Sequence, residues 1–409
     1  MSRPSRRLLS AVGGVAALAL VLASCGSSTP AADPLPVPAG LPPAQALPGS
    51  GGTWATLTMG HRDDPLNTFG ELFHRAGCGA SGCGGVEPPW TLATPPGVAS
   101  NGGIMIAADA DGSLTAGFGV SLALRFSPLA TTTDAGSVWS GGILPVALAP
   151  EPDALATSGP TQRLALAAPA PVGSGGVLVA GSDLSTWSRL AARGAVAAAA
   201  SSAGCALGTL TAVAVTGSGA DLVAGECSGG GRAGIFRIGA SGHPVAVTAT
   251  GPPVPTPAGT VVGTLRLVSG PGGLSALVAD GSGSGTRLQL ATSTDDAATW
   301  TVAAPFAAGG PVVSTAVDGS GGFVVLVGRP RGVAAAVVAP GTGWRTLPAP
   351  PTGTAVIAPA DPGGSLQALV PSGSTLDVDQ LGPTGWSAVQ ALDVPVQYGS
   401  TSAGQGSAG

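Results

Sequence analysis

The tryptophans set the scale on which this chain repeats. They fall at Trp54, Trp90, Trp139, Trp187, Trp300, Trp344 and Trp386. The steps from Trp139 to Trp187, from Trp300 to Trp344 and on to Trp386 are roughly 42 to 48 residues, a period typical of stacked β units. The wide interval between Trp187 and Trp300 has room for one further unit. His243, at the end of the turn Gly239-Ala240-Ser241-Gly242, stands where its marker would fall. A unit of this size cannot bury its own apolar face and must cover it with the next copy, so the period restricts the chain to repeat architectures.

Each period reads internally as short strands. Between residues 205 and 250, Leu210–Thr216, Asp221–Glu226, Gly234–Ile238 and Pro244–Thr248 are apolar or β-branched runs separated by turn residues, the four strands a propeller blade needs. Helical periodicity is nearly absent; the apolar run Ala195–Ala200 leads straight into Ser, Gly and Cys. The 68 Gly and 38 Pro accompany 44% hydrophobic residues and a mean hydropathy of +0.41, which fits a turn-rich β protein better than a disordered one. The expectation is an all-β fold over residues 51–398, a β-propeller of four-stranded blades, with seven blades favoured over six. Two stacked sandwiches are the alternative, and the single steady repeat argues against them. The seventh unit spans Trp54 to Thr94, with strands Trp54–Met59, Phe69–His74 and Trp90–Ala93. It is short of an innermost strand, which Ala391–Tyr398 would supply, closing the ring by joining the two ends.

Two of the marker tryptophans close a common pattern, Thr132-Thr133-Asp134-Ala135-Gly136-Ser137-Val138-Trp139 and Ser293-Thr294-Asp295-Asp296-Ala297-Ala298-Thr299-Trp300. An Asp in a tight turn accepts hydrogen bonds from N–H groups a few residues on, a Gly or Ala allows the reversal, and the Trp packs beneath the corner. The pattern Ser/Thr-x-Asp-x-Gly/Ala-x-x-Trp resembles the Asp-box of sialidase-like propellers. That resemblance implies corners between the third and fourth strands of a blade, on the rim, with Asp134, Trp139, Asp295 and Trp300 in structural roles. Degraded corners recur at Ser182–Trp187, Gly341–Trp344 and Pro383–Trp386. It does not carry the sialidase reaction with it. Such enzymes use an arginine triad, a Tyr nucleophile paired with Glu and an Asp acid/base, whereas the one Tyr here is Tyr398 and none of Glu71, Glu87, Glu151 and Glu226 sits in a recognisable motif.

The N-terminus gives an address. Arg3, Arg6 and Arg7 precede the apolar stretch Leu8–Ala23, followed by Leu22-Ala23-Ser24-Cys25, the layout of a secretory signal. The last four residues resemble the lipobox of bacterial lipoproteins, which implies removal of residues 1–24, diacylglyceryl modification and acylation (palmitate) of Cys25, and residence on the outer face of the cell membrane. An uncleaved membrane helix, for which the stretch is short, and a plain secretory signal are the alternatives. Residues 25–50 read as a Pro/Ala/Gly tether and residues 399–409 as a disordered tail. Asn67-Thr68-Phe69 and Thr94-Pro95-Pro96-Gly97-Val98 resemble segments of exported actinobacterial proteins, a resemblance that implies no activity.

With Cys25 assigned to lipid, four cysteines remain in an exported chain, where disulfides persist. Cys205 and Cys227 flank a hairpin and Cys78 and Cys83 close a small Gly-rich loop, so the expected pairs are Cys205–Cys227 and Cys78–Cys83. Seven of the fifteen residues from His61 to Arg75 are ionisable: His61, Arg62, Asp63, Asp64, Glu71, His74 and Arg75. In a chain that is 9% charged this cluster is a candidate partner-binding epitope. A metal site using His61, Asp63 or His74 and a plain solvated strand edge are the other readings. Asp109-Ala110-Asp111-Gly112-Ser113 reads as a hairpin turn, because the final Glu of a calcium loop is missing. A formal charge of -5 gives no basic footprint for nucleic acid. No metal or cofactor is expected. The functional expectation is a non-catalytic binding or scaffolding propeller for a cell-envelope protein. A cell-wall carbohydrate binder and a diverged glycoside hydrolase are the alternatives.

Overall fold

The computed structural model describes residues 44–395 apart from positions 50, 61–67, 79–86, 97, 99–102, 109–112, 120–125, 146–151, 159–161, 168–174, 182, 229–232, 240–246, 252–260, 271, 283–284 and 360–364. Cys25, His61, Arg62, Asp63, Asp64, Cys83, the Asp109–Gly112 turn, His243, Tyr398 and the tail lie outside the described residues.

The chain forms seven successive four-stranded units. Blade one comprises β1 (Ala44–Gly49), β2 (Gly52–Gly60), β3 (Thr68–Ala76) and β4 (Trp90–Leu92). Blade two comprises β5 (Ile104–Ala108), β6 (Leu114–Phe118), β7 (Phe126–Thr132) and β8 (Ser140–Pro145). Blade three holds β9 (Pro152–Ser158), β10 (Gln162–Ala167), β11 (Gly176–Ala180) and β12 (Trp187–Ala192). Helix α1 (Arg193–Ser202) leads into blade four, β13 (Ala206–Val215), β14 (Asp221–Ser228), β15 (Ile235–Ile238) and β16 (Val247–Ala249). In blade five, β17 (Val261–Gly270), β18 (Gly273–Ser282) and β19 (Gly285–Ser293) are followed by a divided outer strand, β20 (Thr301–Val302) and β21 (Phe306–Ala307), both paired with β19. Blade six is β22 (Val312–Val317), β23 (Phe323–Arg329), β24 (Gly332–Val338) and β25 (Arg345–Thr346). Blade seven is β26 (Val356–Ala358), β27 (Gln367–Ser372), β28 (Thr375–Gly382) and β29 (Gly385–Asp393). Within each blade consecutive strands pair antiparallel. The fold is an all-β propeller, with seven blades among the described residues.

The burial pattern explains why the inner strands read as continuous apolar runs. A strand with one wet face alternates, whereas one covered on both faces does not. Strand β6 is buried at every position and β5 at its first four, because each blade is sandwiched between its neighbours. Outer strands such as β8 and β29 are mostly exposed or half-buried. The apolar core therefore lies between blades. One cluster joins Leu129 and Leu144 of blade two to Leu155 and Val177 of blade three and to Val213 and Phe236 of blade four. Another joins Phe73 and Trp90 of blade one to Leu326 of blade six and to Leu369 and Val378 of blade seven.

Three features depart from the sequence reading. The innermost strand of blade one is β1, built from residues assigned to the tether. It pairs antiparallel with β2 and in parallel with β22 at Ala44↔Ser314, Gln45↔Thr315 and Ala46↔Ala316. Ala391–Asp393 accordingly belong to β29, paired with β28, and do not complete blade one. The Ala195–Ala200 run is part of α1, which docks through Val196 and Ala200, both fully buried. Alanine has the highest helix propensity, and this face meets the core of blades three and four.

Among the described residues no strand is shared between blades one and seven; side chains and one backbone bond join them. Arg75 of β3 is buried and ion-pairs with Glu87 at 2.9 Å. It also donates to Gln367 Oε1 of blade seven at 2.6 Å and to the Pro359 carbonyl at 3.1 Å. Its guanidinium lies 5.2 Å from the Trp90 ring centroid. Trp90 Nε1 donates to the same Gln367 oxygen at 2.7 Å, and the Trp90 backbone exchanges two hydrogen bonds of 2.8 Å with the Gln390 amide of β29. Glu87 accepts from the Ser365 N–H and hydroxyl at 3.1 and 2.9 Å. The Gly60 N–H adds a bond of 2.8 Å to the Gly373 carbonyl.

Candidate functional site

The innermost strands surround a cavity of about 310 Å³. It is lined by consecutive residues of β5, β9, β13 and β17, such as Ala154–Ser158 and Leu265–Gly270, together with Gln45–Pro48 of β1 and Thr315 and Val317 of β22. Side chains of a strand alternate between its two faces, so a continuous lining means that the strand edges look into the cavity. Most of the wall is Ala, Leu and Val. The polar side chains are Gln45, Thr157, Ser158, Thr211, Thr216, Arg266, Ser269 and Thr315.

Arg266 is the one ionisable residue among the described lining residues. It sits in the middle of β17 between Leu265 and Leu267, and its Nε donates to Thr315 Oγ1 on β22 at 2.7 Å. The side chain is partly open to the cavity but enclosed by protein. Removal from water, with no carboxylate to offset it, lowers the guanidinium pKa to about 10, still cationic at neutral pH. Thr157 Oγ1, on the β9 side, is buried without a hydrogen-bond partner. Gln45 is buried and donates its Nε2 to the Ile104 carbonyl at 3.2 Å, while Thr211 spends its hydroxyl on the Thr264 carbonyl at 2.6 Å. The arrangement offers one unneutralised cation and the Ser158 and Ser269 hydroxyls on a mostly apolar wall, suited to holding a negative charge or a carbonyl oxygen on which charge develops. No Asp, Glu or His lies among the lining residues, so the described wall provides no general base.

The described residues among those singled out from sequence lie elsewhere. Glu71, on β3, is half-buried; its Oε2 accepts from the Thr94 hydroxyl at 2.5 Å, and burial pushes its pKa up against that bond. His74 is buried, its ring 4.4 Å from that of Trp54, and Arg75 belongs to the closure described above. These positions correct the epitope reading for His74 and Arg75, which have no surface to offer a partner: alternation along β3 turns His74 towards Trp54 and blade two and Arg75 towards blade seven, and both faces are covered. Among the described residues no group of three or more His, Cys, Asp or Glu could hold a metal.

Asp134 and Asp295 sit in exposed corners, between β7 and β8 and between β19 and β20, and their bonding is the same. Asp134 Oδ1 accepts from Thr132 Oγ1 at 2.8 Å and from the Val138 N–H at 2.9 Å, while the Gly136 N–H donates to Thr132 Oγ1 at 3.0 Å. Asp295 Oδ1 accepts from Ser293 Oγ at 2.8 Å and from the Thr299 N–H at 2.9 Å, and the Ala297 N–H donates to Ser293 Oγ at 2.9 Å. These bonds depress both carboxylates, Asp295 to about 2. The blade-two corner packs on blade one, where the Trp139 ring meets Trp54 edge-on at 5.9 Å. Trp300 lies half-buried against the core of blades four and five. Cys205 and Cys227 form a disulfide linking the end of α1 to β14; Cys78 is also disulfide-bonded.

Arg266 carries no motif. Its only sequence signal is a charge inside an otherwise apolar strand, Val261-Val262-Gly263-Thr264-Leu265-Arg266-Leu267-Val268, in a chain with few charges. A charge placed there must face a polar partner or a cavity.

No known protein family and no curated protein matches the sequence. Solved structures do. The periplasmic gluconolactonase of Pseudomonas aeruginosa shares the fold at a TM-score of 0.50 and 14% identity, over 84% of this chain and 97% of that one. A Bacteroides uniformis protein provisionally named a 6-phosphogluconolactonase aligns at a TM-score of 0.48 and 12% identity, over 84% and 97% of the two chains. YCF48 bound to a D1 peptide aligns at 0.42 and 14%, over 81% and 94%. At such identity the first likeness establishes the propeller fold and no more. The expectation of a non-catalytic scaffold for an envelope protein is nonetheless overturned. It rested on the scarcity of ionisable groups and on the His61–Arg75 cluster, yet this fold also serves a protein named for lactone hydrolysis, and two members of the cluster are buried.

Proposed function

We propose that the chain is an exported propeller that binds small lactones in its central cavity and opens them. The observation that carries this reading is Arg266: an enclosed guanidinium facing a cavity of small-molecule size, with no carboxylate beside it. The lactonase name of the Pseudomonas neighbour sets the substrate class to test first. In the proposed step, water adds to the lactone carbonyl carbon and the carbonyl oxygen gains negative charge opposite the Arg266 N–H groups. The ring C–O bond then breaks, the ring oxygen takes a proton from the attacking water, and the hydroxy acid releases one proton to solvent. With no base in the described wall, the contribution is electrostatic; loss of one oxyanion donor typically costs on the order of 10² to 10³ in rate. Cleavage of the signal and lipidation of Cys25 would place the cavity outside the cell, held by two or more acyl chains.

Proton release from glucono-δ-lactone, followed in a pH-stat with the spontaneous rate subtracted, tests this reading. The wild-type chain is expected to accelerate ring opening, and Arg266→Gln to lower kcat on the order of 10²-fold. A wild-type rate equal to the spontaneous one, with the cavity intact, would sink the proposal.

A further inference from the structure

Resting on the same cavity, the charge balance of its wall narrows the class of ligand. We infer that the site takes a small hydroxylated molecule bearing a single carboxylate, or its lactone, and rejects phosphorylated analogues. Arg266 supplies one positive charge, and no second cation appears among the lining residues. Its Nε is engaged by Thr315, which leaves the two terminal nitrogens for a bidentate contact of the kind a planar carboxylate makes. Ser158 and Ser269 add hydroxyls suited to a polyol. A phosphate would bring further negative charge into a wall otherwise made of Ala, Leu and Val, where nothing offsets its loss of hydration. At about 310 Å³ the cavity is at the lower end for small-molecule sites, which suits a six-carbon acid and leaves little room for a phosphoryl group with its water.

Isothermal titration of the full-length mature protein with gluconate, glucose and 6-phosphogluconate at neutral pH decides the matter. Gluconate is expected to bind at least tenfold more tightly than either of the others. Arg266→Gln should erase the preference of gluconate over glucose, and Ser269→Ala should weaken gluconate several-fold. The Ser269 variant keeps the test open if the Arg266 variant does not fold, which circular dichroism would show. Equal binding of gluconate and glucose, tighter binding of 6-phosphogluconate, or no binding of any of the three would overturn the inference. Gluconate binding without lactone opening would sink the hydrolytic reading and leave this one standing. Turnover that favours the phosphorylated lactone would do the reverse.

Discussion

At the scale of single residues, the repeated corner is the part of the chain that local chemistry determines most completely. Its Asp is bound by a hydroxyl two residues before it and an N–H four residues after it, and two consecutive residues take positive φ: Ala135 (60°) and Gly136 (84°) in one corner, Asp296 (55°) and Ala297 (68°) in the other. Residues with a Cβ pay a steric penalty in that region, so the hydrogen bonds to Asp are what hold the turn. Because the folded pKa of Asp295 lies below the unfolded carboxylate value, its contribution to stability is present above about pH 4 and is lost as pH falls through about 2. Carboxyl-carbon NMR should show Asp295 titrating near pH 2. Titration at the ordinary value for Asp would mean that the corner bonds do not persist in solution. Asp295→Ala should lower the urea midpoint, since the Thr299 N–H loses its acceptor.

At the scale of elements, the legible strands were those whose ends carry a turn signal or a Trp. The four strands read between residues 205 and 250 reappear as β13 to β16 with ends moved by a few residues. What escaped was decided by distant contacts. The β1 sequence Ala-Gln-Ala-Leu-Pro-Gly has weak strand propensity and sits in a Pro/Ala-rich stretch. It is a strand because it lies between β2 and β22. Helix α1 is short and alanine-rich, and its docking partners come from two blades. Arg75 looked like a surface charge because the residues that bury it, Glu87, Trp90 and Gln367, include one almost three hundred residues away. Arg75→Met should destabilise the chain by about 3 kcal/mol, because it leaves Glu87 half-buried and without its ion pair. Urea unfolding would measure this, and hydrogen exchange should locate the loosening at β4 and β29. An unchanged midpoint would mean that the contacts between blades one and seven contribute nothing to closure.

At the scale of the whole molecule, seven blades close into a ring because β1 completes the first of them and a polar contact joins the first to the last. A chain beginning at Gly51 lacks β1, exposes the inner edge of β2 and should fail to unfold cooperatively. One beginning at Leu41 should melt as the full chain does. Indistinguishable melting of the two would contradict the assignment of β1. Closure also creates the cavity, and this is why its site was the least legible part of the sequence. Gln45, Thr157, Arg266 and Thr315 come from four blades and have no common spacing; only the ring brings them to one space. On the proposal above, Arg266 receives a carboxylate there. A crystal structure of the protein with gluconate tests it most directly. The carboxylate is expected within hydrogen-bond distance of the two terminal nitrogens of Arg266. Gluconate bound elsewhere, or a cavity holding only water at saturating ligand, would contradict it.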